Sequence, residues 1–219
     1  MAGVHPIEPA AVEVSAPRRV WYTSYGSNMC LDRLACYIEG GRLFGTGTVY
    51  PGCRDRRPPG RSVPVELAGA LYFATRSPVW GGGRAFYDPD AVGRVYARAH
   101  LVSASQFADI AAQEMYREPG KDLELSEVLA SGVARLGPGR YETLVCAGQI
   151  DGWPVLTFTA PWGADAVAPV APALAYLRVL MSGLLETGAW DAGTVAAYVA
   201  STRGVGPRWP EQAIRDLIT

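Results

Sequence analysis

Apolar positions along the chain alternate between a period of two and a period of three to four, and each switch predicts an element. Val20, Trp21 and Tyr22 are β-branched or aromatic and predict a strand. Leu31, Leu34, Ala35 and Ile38 follow at helical spacing, with Asn28 as the expected N-cap. The stretch 42–50 predicts a glycine-containing strand and 51–62 a Pro/Gly/Arg loop. Residues 63–74 predict strand material in which Gly69 marks a bulge or bend. Trp80-Gly81-Gly82-Gly83 reads as a flexible loop opening a short strand that Asp88-Pro89 ends, and 91–102 predicts the next strand. Ser103 and Gln106 then make a capping box before the apolar face of Phe107, Ile110 and Ala111. After an acidic, Gly-rich segment, 141–150 and 154–160 predict two strands joined by Asp151-Gly152, a hairpin signal. The C-terminal third predicts helices over 173–187, 191–201 and 210–218. Strands with helices between them imply an α+β domain around a curved mixed sheet.

Two places in this pattern carry candidate chemistry. The first is the turn Tyr25-Gly26-Ser27-Asn28-Met29 between the first strand and its helix. Gly26 lets backbone approach a ligand closely, and the free N–H groups of a helix start can grip an anion. A carboxylate- or phosphate-binding turn is therefore expected, the alternative being an ordinary strand–helix connection. The second is Glu114, seven residues after Phe107 and four after Ile110, which places it on the apolar stripe of its helix. A carboxylate on an inward face costs several kcal/mol unless paired, hydrogen-bonded or neutral. Desolvation raises its pKa toward the range of a general acid/base. The bland alternative is a glutamate at a fraying helix end that reaches water, since Pro119-Gly120 follows. Asp109 points off the stripe and is expected to be solvated. Glu118, Asp122, Glu124 and Glu127 are expected at the surface.

Composition narrows the chemistry by exclusion. Hydrophobic residues at 49% and charged residues at 19% describe a globular chain with a real core. A formal charge of −1 gives no electrostatic case for nucleic acid or an anionic membrane. The arginines at 54, 56, 57 and 61 are interrupted by Pro58, Pro59 and Gly60 and read as a solvated loop. No stretch approaches the roughly 18 apolar residues of a membrane span. Residues 1–18 read as a flexible Pro/Ala-rich lead without secretory character, and 19–219 as one domain. Four cysteines without a CxxC pair suit a reducing cytoplasm. Cys30, near a helix start, is weighed as a low-pKa thiol against an inert one. With His5 in the lead, His100 is the remaining histidine, so a multi-histidine metal site within one chain is excluded. His100 itself is expected to pack in its strand. Ser27 as a nucleophile lacks an activating base.

Taken together these residues resemble the γ-glutamyl cyclotransferase family. Tyr25-Gly26-Ser27-Asn28 after a strand is similar to the family's substrate turn, and Trp80-Gly81-Gly82-Gly83-Arg84-Ala85 to its W-x-G-G loop. Gln113-Glu114, on a helix following Gly93-Arg94-Val95-Tyr96, matches the position of the family's catalytic glutamate. The run from Pro172 to Leu177 resembles a helix start whose tyrosine, here Tyr176, lines the site. The matches span about residues 20–200 in order. Met29 and Leu174 depart from the family pattern, and the segment 117–140 is a longer insertion that is expected to wall the substrate.

What the resemblance implies is an α+β fold whose mixed curved sheet forms a partial β-barrel with flanking helices. The implied reaction is attack of a γ-glutamyl unit's α-amino group on its own γ-carbonyl, giving 5-oxoproline and a free amine. Glu114 is then the catalytic base, with Ser24, Tyr25, Gly26, Ser27, Asn28 and Tyr176 binding a small-molecule γ-glutamyl substrate. No cofactor and no metal are implied. A deprotection step in a biosynthetic pathway is one possible setting. An amide hydrolase on the same fold, or a non-catalytic module binding glutamyl-like ligands, is the alternative. Trp80 and Trp162 are expected at the pocket mouth.

Overall fold

Alternation along the strand expected at Val20–Tyr22 sorts the interior into two layers. In the computed structural model, which describes residues 3–7, 16–42 and 47–218, that strand is Arg19–Ser24. Val20 and Tyr22 face one apolar cluster and Trp21 the other, all of them buried. Cover on both faces explains why the strand reads as an uninterrupted apolar run.

The strands, in chain order, are His5–Ile7 (β1), Arg19–Ser24 (β2), Gly41–Arg42 (β3), Val49–Tyr50 (β4), Ser62–Ala68 (β5) and Ala70–Arg76 (β6). Gly83–Asp88 (β7), Arg94–Ser103 (β8), Val133–Arg135 (β9), Thr143–Ile150 (β10) and Trp153–Thr159 (β11) follow. The helices are Leu31–Glu39 (α1), Ala104–Glu114 (α2), Ser126–Ser131 (α3), Leu174–Leu185 (α4), Ala192–Ser201 (α5) and Glu211–Arg215 (α6). Seven strands form one curled, half-barrel sheet in the order β1-β5-β8-β2-β11-β10-β9, with β2 at its centre. β2 runs antiparallel to β8 and parallel to β11, so the sheet is mixed. Pairs β6–β7 and β3–β4 stand apart as two-stranded ribbons. The expected α+β architecture is the observed one.

One face of the sheet carries α1, α2 and α3 through Leu34, Ile38, Phe107, Ile110, Val128 and Leu129. The other carries α4, α5 and α6 through Leu177, Leu180, Leu184, Val195, Val199 and Ile214. Each such side chain removed from water contributes about 1.5–3 kcal/mol. The capping box starts α2 as expected: Ser103 Oγ accepts from Gln106 N–H at 3.1 Å and Gln106 Oε1 from Ser103 N–H at 3.0 Å. Asp151 (φ 50°) and Gly152 (φ 77°) turn the β10–β11 hairpin in the left-handed conformation this signal demands.

Several expectations are corrected. The strand material at 63–74 is two strands in two different sheets. Gly69 breaks it at φ 122°, where a Cβ would lie 2.4 Å from the Asp88 carbonyl oxygen. Of the strand expected at 42–50, Arg42 pairs with Val49, while 43–46 lie outside the described residues. Within the expected N-terminal lead, His5–Ile7 add a parallel strand to β5 and bury Ile7; residues 1–2 and 8–15 lie outside the described residues. The 117–140 segment supplies α3 and also β9, which extends the main sheet at β10. Asp109 is fully buried instead of solvated. Its carboxylate accepts from Arg54 N–H, from the Arg54 guanidinium and from Gly120 N–H, pinning the start of that segment to α2. The arginine loop is exposed, as expected, and three of its arginines also make ion pairs: Arg54 with Asp109 and Asp122, Arg57 with Asp55, Arg61 with Asp151.

Candidate active site

The end of β2 and the end of α2 meet over one cavity of about 280 Å³. Ser24, Tyr25, Gly26, Ser27, Asn28, Glu114 and Tyr176 all border it, so the structure brings every candidate residue from three distant stretches of chain together.

The turn after β2 is a short 3-10 segment, Ser27–Met29, and α1 begins only at Leu31 with Cys30 in the N-cap position. Asn28 is therefore not the helix cap. Its side chain is committed elsewhere: Nδ2 donates to Tyr22 Oη and to Glu114 Oε1, each at 3.1 Å. The expectation that free α1 amides face an anion is also corrected, because Leu31 N–H donates to Glu186 Oε2 at 3.1 Å. Arg98 pairs with that same oxygen at 2.9 Å and also donates to the Met29 carbonyl, so the helix start is locked by protein groups.

Within the turn, Gly26 N–H is directed at Ser24 Oγ at 3.4 Å, and Tyr25 Oη donates to the Phe158 carbonyl at 2.7 Å. Tyr176, on the first turn of α4, brings its hydroxyl against Gly26. A Cβ at residue 26 would stand 3.0 Å from Tyr176 Oη, which is why glycine suits this position. Trp80 tilts against the Tyr176 ring with centroids 5.2 Å apart and borders the cavity. Trp162 does not: it packs edge-on to Phe86 in a separate cluster.

Glu114 is the last residue of α2, half-buried, with its carboxylate in the cavity. Burial pushes its carboxyl above the ordinary glutamate range. The Arg33 charge, hydrogen bonds from Tyr37 and Asn28, and the Arg84 charge pull it partly back. Tyr22, Tyr37, Tyr50, Tyr141 and Tyr176 all feel its negative charge, and burial with that charge keeps these phenols protonated. The arrangement is an ionisable acid ringed by hydroxyl donors, suited to taking up and returning one proton.

Arg33, Tyr37 and Tyr50, which no motif indicated, complete the pocket together with Arg84, which lies in the Trp80–Ala85 run but had no role assigned to it. Arg33 donates from Nη2 to Tyr37 Oη at 3.3 Å and Tyr50 Oη at 2.5 Å. Its guanidinium lies over the rings of Tyr37, Tyr50 and Trp80 at 4.8, 4.4 and 5.7 Å from their centroids. Because Arg33 donates to Tyr37, the single phenolic proton of Tyr37 is left for Glu114. The available signal was Arg33 and Tyr37 at i, i+4, buried beside the Leu34/Ile38 stripe of α1.

Other candidates take inert roles. His100 is fully buried, 2.8 Å from Ser62 Oγ, and burial lowers its pKa to about 3. Cys30 is buried and its thiol is pushed up, against the low-pKa alternative. Among the described residues no group of three His, Cys, Asp or Glu is placed to hold a metal ion, and no helix is long and apolar enough to cross a membrane.

A solved gamma-glutamyl cyclotransferase superposes on 91% of this chain and 98% of its own, with a TM-score of 0.50 at 14% identity. The chain has the gamma-glutamyl cyclotransferase fold. A structure of an uncharacterized protein from Homo sapiens matches at a TM-score of 0.47 and 14% identity, over 78% of this chain and 82% of that one. In sequence, histone deacetylase 5 of Arabidopsis thaliana is 32% identical over 216 residues, covering 89% of this chain. This chain spans about a third (33%) of that relative's length. No protein-family model matches the chain. In this fold the β2 turn, the end of α2 and the start of α4 converge on one cavity, which Glu114 borders.

Proposed function

We propose that the chain is a γ-glutamyl cyclotransferase, working in the cytoplasm without metal or organic cofactor. The observation that supports this reading best is Glu114 itself: a carboxylate with a raised pKa, bonded to Asn28 of the substrate turn and sharing a cavity with Tyr176. A γ-glutamyl amide would lie folded along the turn with its α-nitrogen facing its own γ-carbonyl. Both atoms belong to one molecule, so what the pocket contributes is freezing the glutamyl chain's rotations with those two atoms in near-attack geometry. The ionised Glu114 takes a proton from the α-ammonium. The freed nitrogen forms the ring C–N bond; as the amide C–N bond breaks, Glu114 returns its proton to the departing amine, and the second proton shed by the ring nitrogen leaves with that amine as its ammonium ion. The Tyr176 hydroxyl and the backbone around Gly26 and Ser27 stabilise the oxyanion of the tetrahedral intermediate.

The test is incubation with a panel of γ-glutamyl amides and product analysis. Release of 5-oxoproline with stoichiometric amine supports the reading. Free glutamate instead identifies an amide hydrolase. Binding without turnover identifies a non-catalytic module. Release of a protected amine in a biosynthetic pathway is the physiological setting this activity would suit.

The pH profile carries a sign. Only ionised Glu114 can accept the ammonium proton, so kcat/KM falls as pH drops through its raised pKa. Tyr37 donates a hydrogen bond that favours the ionised form. Tyr37→Phe is therefore expected to move the acid limb of kcat/KM to higher pH, with rates above pH 8 changed little. A limb that stays in place, or moves down, removes Tyr37 from the control of Glu114.

A further inference from the structure

We propose that Arg84 is a specificity-determining residue, holding a carboxylate of the substrate in the pocket beside Glu114. The inference rests on the γ-glutamyl amide reading for the substrate's identity; the need for an anion comes from the pocket alone. Arg84 lies on β7, is 7% exposed and borders the cavity. Nη1 donates to Thr75 Oγ1 at 3.0 Å, and Nη2 reaches Tyr116 Oη at 3.5 Å. Both acceptors are neutral. Among the described residues no carboxylate stands within ion-pair distance of this guanidinium, and no aromatic ring lies under it. A cation this far from water normally has a partner anion.

Charge counting inside the pocket leads to the same place. Arg33 and Arg84 are both buried there and both bear on the Glu114 charge, whereas the other carboxylate bordering the cavity, Glu118, is exposed at the rim. Arg117, at the rim, is already paired with Glu142. With Glu114 ionised, as the reaction requires, the interior retains one surplus positive charge. Arg33 has three rings around it to spread its charge, and Arg84 has none. An incoming carboxylate balances the surplus, and a guanidinium offers it a planar array of donors.

Backbone strain gathers at the same point. Among the described residues, Thr75 (φ 47°), Tyr116 (φ 57°), Tyr141 (φ 86°) and Asp151 (φ 50°) are the non-glycine residues at positive φ. Asp151 is in its hairpin turn. The other three surround Arg84: Thr75 and Tyr116 hold the guanidinium, and Tyr141 Oη donates to the carbonyl of the adjacent Ala85 at 2.9 Å. Thr75 sits in the β6 bulge, where the register with β7 shifts between Ala74 and Arg76. A β-branched residue in this conformation is a genuine outlier, and such strain concentrates where a site is being shaped. Here the bulge delivers a hydroxyl to Arg84.

A γ-glutamyl amide offers up to two carboxylates: the α-carboxylate of the glutamyl unit, and one on the released amine when that amine is an amino acid. The experiment separates them. Wild type, Arg84→Lys and Arg84→Met are assayed for 5-oxoproline release from γ-glutamylalanine and from γ-glutamylethylamide. Arg84→Met is expected to raise KM about tenfold or more with kcat changed less than about threefold, and Arg84→Lys to fall between. A KM rise for both substrates assigns the α-carboxylate, and a rise for γ-glutamylalanine alone assigns the carboxylate of the amine. Unchanged KM for both overturns the proposal. Should Arg84→Met fail to fold, Tyr116→Phe removes one support and is expected to give a partial KM rise, with no rise counting against it. If wild type releases no 5-oxoproline, the cyclotransferase reading fails separately. Titration of glutarate then decides on Arg84: binding at least about tenfold weaker in Arg84→Met supports it, and equal or absent binding overturns it.

Discussion

Glu114→Gln is expected to abolish 5-oxoproline release while leaving a folded, slightly more heat-stable protein. The substitution keeps the shape of the side chain. Its carbonyl oxygen can still accept from Asn28 Nδ2, which bonds Glu114 Oε1 in the wild-type pocket. What the substitution removes is the carboxylate that the proposed proton transfer needs, and the other carboxylate bordering the cavity, Glu118, is exposed at its rim. Loss of a positioned base of this kind costs about 10²–10⁴-fold, and the assay is 5-oxoproline release against any good substrate.

The stability effect has the opposite sign for the same reason. Burial raises the Glu114 pKa, so the folded protein binds that proton more tightly than the unfolded chain does. Stability from this group is complete below the unfolded pKa and is lost as pH rises through the folded one. At neutral pH the ionised side chain is therefore a cost, and a neutral amide relieves it. Relief of about 1 kcal/mol corresponds to a thermal midpoint roughly 2–4 °C higher. The gain should shrink in acid, where wild-type Glu114 is already neutral. Turnover within about tenfold of wild type would take Glu114 out of the mechanism.

How much of this was legible beforehand follows the range of each signal. Local patterns survived: the Ser103/Gln106 capping box, the Asp151-Gly152 turn, the inward position of Glu114 on α2. Their causes lie within one or two turns of chain. Asn28 misled because its amide is as good a partner for Tyr22 and Glu114 as for a helix N-terminus, and only the tertiary fold brings Glu114 to it. Asp109 was expected in water because its partners, Arg54 and the backbone of Gly120, come from 55 and 11 residues away. Arg33, and Arg84 within the Trp80–Ala85 run, carry no sequence sign of burial. Their importance comes from the rings and strained turns that assemble around them. The fold class followed from element order, whereas the split of 63–74 into two sheets depended on one glycine whose neighbour, Asp88, is distant in sequence.

Gly183→Ala is expected to be strongly damaging although it adds only one methyl. In an exposed helix this change is favourable by about 1 kcal/mol, because alanine restricts the unfolded chain and glycine does not. In α4 the sign reverses. A Cβ at residue 183 would lie 2.4 Å from Cys30 N, 2.5 Å from the Met29 carbonyl carbon and 2.7 Å from Met29 Cβ. Two of those atoms are backbone and cannot rotate aside, and the third is fully buried. α4 must retreat from the segment that ends the Tyr25–Asn28 turn. Tyr176, two helical turns earlier on the same face, retreats with it and leaves Gly26. Overpacking of this sort costs about 1–3 kcal/mol, which corresponds here to a thermal midpoint lower by roughly 2–12 °C. The fully folded fraction should also lose activity, since the Tyr176 hydroxyl no longer meets the Tyr25–Asn28 turn. Denaturant melts and 5-oxoproline assays on one preparation separate the two losses. A midpoint equal to or above wild type would mean that α4 and the turn slide freely past each other, and the rigid corner on which the pocket is built would not exist.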